Sequence, residues 1–120
     1  MPARKLSDPL VVSVYELAAV VNEWVDRYNR VRPTGANFRH LQYLPARQAL
    51  ANESGVTERY IWTILSHERA WIPLGYADQL VQAMGCPEAI GDGRIHVAPN
   101  PHWGQEKWLQ WYFEERCGYG

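Results

Sequence analysis

The sequence predicts an all-α fold, a compact four- to five-helix domain containing a helix-turn-helix, followed by an extended connector and a C-terminal aromatic helix. Three observations lead there. Apolar residues recur at helical spacing, glycine and proline cut the chain into short helical pieces, and the composition suits one hydrophobic core. With 120 residues, 47% apolar and 21% charged, the chain sits near the globular average and has room for one domain.

The first helix is expected over about 13–30. Val14, Leu17, Ala18, Val21, Trp24/Val25 and Tyr28 mark one face, with Ser13 as N-cap and Glu16 at its capping-box position. Pro33 and Gly35 then end it and open a long loop over 31–44. Pro45 suits a first helical turn, Ala46 to Ser54 are mostly good helix formers, and Gly55 can take the left-handed conformation that ends a helix. Thr57 is the next N-cap, and Ile61, Ile64 and Leu65 stripe a third helix to about His67. Trp71-Ile72-Pro73 breaks the chain, and Tyr76, Leu80, Val81 and Met84 mark a fourth helix stopped by Gly85 and Pro87. Gly91 to Pro101 reads as an extended connector, with 94–97 as a short strand. A last helix over about 104–116 is aromatic on more than one face. The expected division is a helix-turn-helix domain over 1–88, with the connector and aromatic helix over 89–120.

No run approaches the roughly 18 to 20 apolar residues that span a bilayer, the best being Leu10 to Val12 and Leu17 to Val21. The segment after Arg4 and Lys5 is broken by Ser7, Asp8 and Pro9 and offers no small-residue cleavage site. The expected location is therefore the cytoplasm, with no membrane partner. Two cysteines, Cys86 and Cys117, are too few for a disulfide framework. Together with His96 and His102 they invite a zinc reading, but the close ligand pairs of structural zinc sites are missing. No nucleophile elbow, phosphate-cradling glycine loop or His-Glu-x-x-His pair is present. The expectation is a non-enzyme with no cofactor and no metal.

The net charge of -1 conceals an asymmetry. Residues 27–71 carry seven Arg against three Glu, while the segments on either side are acidic. Arginine forks onto phosphates and guanine edges better than lysine does. That basic centre holds the informative segment, RQALANESGVTERYIWTILS over 47–66, two short helices joined by a three-residue glycine turn. Ala51 is small where the helices cross, Val56 plugs the core, and Ile61 and Ile64 hold the second helix on the first. With those positions buried, Glu58, Arg59, Trp62 and Thr63 face outward and Tyr60 partly so. Such a helix presents its N-terminal residues to base edges in the major groove.

Leu50-Ala51, Ser54-Gly55-Val56-Thr57, Ile61, Ile64 and the following 74–84 helix resemble the lambda-repressor/Cro-like (Xre-type) helix-turn-helix proteins. The run over 43–85 resembles regulators of actinobacteria and their temperate phages, including immunity repressors. The resemblance covers about 13–85. It implies a transcriptional regulator, of repressor type, that binds double-stranded DNA. It also implies that Thr57, Glu58, Arg59, Trp62 and Thr63 lie in or beside the groove, with Gln48 near the backbone. The 31–44 loop is longer than in many relatives, and Trp62 is bulkier and more apolar than the usual reading residue.

Each residue keeps a plainer reading beside the functional one. Arg59 reads a base or faces a phosphate; Glu58 accepts from cytosine N4 or complements the helix N-terminus. Trp62 stacks, touches a methyl, or belongs to the core. Arg39, His40, Arg47, Tyr60, His67 and Arg69 are backbone contacts or solvated groups, and backbone contacts position without reading sequence. Trp103, Trp108, Trp111, Tyr112 and Phe113 either fold onto the domain as core or form an interface with a second copy or another protein. The competing function is a protein-interaction module using the helix-turn-helix and the aromatic tail.

Overall fold

The computed structural model describes residues 9–31 and 44–116. Nine elements follow in order: β1 (Leu10–Ser13), α1 (Val14–Val31), α2 (Ala46–Ser54), α3 (Glu58–Leu65), β2 (Trp71–Pro73), α4 (Leu74–Ala83), a 3-10 turn (Pro87–Ala89), β3 (Val97–Pro99) and α5 (Gln105–Arg116). The helices lie where the sequence puts them. The all-α expectation is corrected, because the helices pack with a three-stranded antiparallel sheet of order β2-β1-β3, and the fold is mixed α/β.

β1 is the central strand. It pairs Val12 with Ile72 of β2 and with Val97 of β3. Successive strand residues point to opposite faces, yet Val11 and Val12 are both buried, so this strand is covered on both sides. β2 is the segment Trp71-Ile72-Pro73 that reads as a chain break. Pro73 lacks an N–H and is tolerated because β2 lies at the sheet edge and leads straight into α4.

One core holds these layers together. Val14, Leu17 and Val21 of α1 meet Leu50 of α2, Ile61 and Ile64 of α3, and Leu80 and Val81 of α4, with Val12 and Ile72 from the sheet. Full burial of one such aliphatic side chain stabilises by about 1.5 to 3 kcal/mol. Ala89 and Ile95 belong to the same core, and β3 completes the sheet. Residues 89–99 are thus built into the domain rather than strung out beyond it.

The start of α1 is tied to that segment. The Glu16 carboxylate accepts the backbone N–H of His96 at 2.9 Å and faces its imidazole Nδ1 at 2.8 Å. Glu16 is therefore engaged by a residue 80 positions away, while Ser13 Oγ accepts from the N–H of Tyr15. The hydrogen bond from the His96 backbone, then that from its ring, holds the Glu16 carboxyl below its ordinary pKa. Arg94 is likewise occupied, by Asp92 at 2.8 Å and Glu88 at 3.5 Å.

Candidate nucleic-acid interface

The helix-turn-helix is assembled by short-range contacts. α2 ends at Gly55, whose φ of 77° is left-handed and whose N–H donates to the Ala51 carbonyl. Val56 follows, 1% exposed, with its N–H donating to Ser54 Oγ at 3.1 Å. Thr57 then caps α3 by accepting the Tyr60 N–H on Oγ1 at 3.1 Å. The inner face of α3, Ile61 and Ile64, is fully buried. Its orientation on α2 is therefore fixed by the core.

The outer face carries the candidate residues. Thr57, Glu58, Arg59 and Trp62 are exposed, as are Arg47 and Gln48 at the start of α2. Arg47, Glu58, Arg59, Trp62 and Glu68 line an open groove of about 560 Å³. No described residue forms an ion pair with Arg47 or Arg59, so both guanidiniums keep their donors for a ligand. Trp62 is 47% exposed, which removes it from the core. Thr63 is half-buried and donates its hydroxyl to the Arg59 carbonyl at 3.1 Å, a back-bond along its own helix that leaves its oxygen lone pairs and methyl for other contacts.

Tyr60 is turned differently. Its ring stacks on Tyr76 at 4.3 Å and packs against the core, so it braces α3 on α4 instead of standing with the exposed set. Arg39 and His40 lie outside the described residues, as do most of the 31–44 loop and Cys117. Cys86 is buried, and that burial pushes its thiol pKa up.

α3 closes with a motif that sequence reasoning did not isolate. The His67 N–H donates to the Ile64 carbonyl and the Glu68 N–H to the Thr63 carbonyl, the two bonds of a Schellman ending. His67 takes the left-handed position at φ 59°, where glycine is the usual occupant. Its ring meets Tyr15 edge-on at 4.8 Å. The next residues lead through Arg69 to β2, and the Ala70 carbonyl accepts the Val14 N–H.

The aromatic helix is not core. Trp103, Trp108, Trp111 and Tyr112 are half-buried and Phe113 is 51% exposed; none joins the hydrophobic cluster of the domain. They stack largely on one another, Trp108 on Tyr112 at 5.3 Å. The helix is moored by Trp108, whose indole N–H donates to the Pro9 carbonyl at 3.1 Å. Among the described residues no helix is long and apolar enough to cross a membrane. The chain matches no family model, no curated protein and no solved structure.

Proposed function

We propose that the chain is a sequence-specific double-stranded DNA-binding transcriptional regulator of repressor type, acting in the bacterial cytoplasm with α3 in the major groove. The observation that carries this reading is the pairing of a fully buried inner face on α3 with an outer face where Arg59, Trp62, Arg47 and Gln48 are exposed and neither arginine has an ion-pair partner among the described residues. Arg59, in the first turn, reaches base edges as a two-pronged donor suited to guanine. Thr57 spends a lone pair on its cap and retains its hydroxyl hydrogen for a phosphate. Arg47 and Gln48 approach the backbone from α2. Regulation then follows from occupancy, the bound protein excluding polymerase or a competing regulator from the site, as expected of the phage-type repressors that the motif resembles.

Arg59→Ala is expected to cost about 1 to 3 kcal/mol on the specific site and to flatten preference at one base position. Fluorescence anisotropy on specific and random duplexes checks it; equal loss on both assigns Arg59 to the backbone. A second reading, as a protein-interaction module, draws on α5, where Leu109 and Phe113 stay exposed one helical turn apart. In that reading α5 joins a second copy or another protein, and no duplex is bound.

A further inference from the structure

Beside the helix-turn-helix groove lies a second one that the sequence does not reveal. Arg69, Trp71, Asn100 and His102 come together around an opening of about 360 Å³. Arg69 and Trp71 belong to the segment leaving α3, whereas Asn100 and His102 follow β3, some thirty residues later. The sheet brings them together, since β2 and β3 flank β1. Unlike the first groove, which includes Glu58 and Glu68, this one has no carboxylate among the described residues of its lining.

The groups are held in place before any ligand arrives. Asn100, 4% exposed, donates its N–H to the Pro9 carbonyl at 2.8 Å and accepts the His102 N–H on Oδ1 at 2.8 Å. The segment on the other side is set by the Schellman ending and by the bond from Val14 to Ala70. Arg69, Trp71 and His102 are all exposed. Fixed backbones reduce the ordering cost of binding.

We propose that this groove grips the sugar-phosphate backbone of duplex DNA beside the bases addressed by α3. The proposal rests on the DNA-binding reading above. α3 has eight residues, about 12 Å at 1.5 Å per residue, which equals the width of the major groove, about 12 Å. A helix of that length with its first turn on the bases brings its last turn out to the groove rim, where phosphates lie. Glu68 lines the first groove and Arg69 the second, so the two surfaces adjoin at one peptide bond. The Arg69 guanidinium and the His102 imidazole N–H supply phosphate donors, and the Trp71 indole supplies a flat apolar face for the adjoining sugar. A segment beyond residue 88 thus joins the DNA surface.

The test uses the full chain with His102→Glu, Trp71→Ala and Trp71→Phe, each checked for wild-type thermal unfolding, against a labelled specific duplex and a random duplex of equal length. His102→Glu is expected to weaken both duplexes alike by about tenfold, through repulsion of a phosphate. Trp71→Ala is expected to weaken both by about threefold, with Trp71→Phe restoring most of the loss and base preference unchanged. Unchanged affinity in His102→Glu, while Arg59→Ala still loses specific binding, overturns the second grip and leaves the reading of α3 standing. Loss confined to the specific duplex also overturns it, since a backbone grip is blind to sequence. Failure of the wild-type protein to bind any duplex removes both proposals together.

Discussion

His67 carries a side chain in a backbone conformation where glycine is cheaper. A left-handed residue with a Cβ costs about 1 to 2 kcal/mol, and the edge-on contact with Tyr15 returns about 0.5 to 1.5 kcal/mol. The two nearly cancel. His67→Gly is therefore expected to stay within about 1 kcal/mol of wild type in denaturant titration. His67→Val, β-branched in the left-handed region, is expected to lose about 1 to 2 kcal/mol relative to the glycine variant. Equal stability of the two variants would mean that the segment leaving α3 relaxes and that its geometry is not imposed. At this scale the sequence is legible where the governing interaction spans three or four residues. Thr57 as cap, Gly55 as turn and the Ile61/Ile64 stripe all depend on neighbours within one helical turn. The conformation of His67 was not legible, because histidine carries no left-handed signal comparable to that of glycine.

Elements separate in the same way. The helices announce themselves through the 3.6-residue period of apolar positions, which needs no knowledge of distant chain. β1 is four residues long and β2 three, too short for a period of two to show, and β1's partners lie about sixty and eighty-five residues away. Leu10-Val11-Val12 therefore reads only as an apolar run, and Trp71-Ile72-Pro73 as a break. The Glu16 to His96 contact is hidden for the same reason, and it has a pH signature. Glu16 titrates below its ordinary value in the folded protein, so its contribution is fully present above the unfolded carboxylate's pKa and is lost as pH falls through the folded one. The pair is partly exposed, so the advantage of wild type over Glu16→Gln is expected to be about 1 kcal/mol or less. That advantage should be present at about pH 6 and decline progressively as pH falls below the ordinary carboxylate range. Thermal unfolding across that range checks the sign; an advantage that grows on acidification contradicts the assignment.

At the scale of the whole molecule, the sheet decides which surfaces are neighbours. A helical hairpin alone would leave α3 presenting one groove. With β2 and β3 on either side of β1, the segment after α3 and the turn after β3 are set side by side, and the array of nitrogen donors extends past the hairpin. The glycines and prolines after residue 88 suggest only an extended connector, and nothing in their local pattern marks Ala89 and Ile95 as core residues. α5 is the exception. Its aromatic side chains are largely stacked on one another and moored at Pro9, leaving Leu109 and Phe113 exposed. The role proposed for α3 is the reading of base sequence. It is tested most directly by selecting from a randomised duplex library at about 0.15 M salt, where nonspecific attraction is partly suppressed, with wild type and Arg59→Ala side by side. One enriched motif is expected for wild type, and the same motif with a single position relaxed for the variant. No enrichment by a folded wild-type protein, or identical motifs from both proteins, would contradict it.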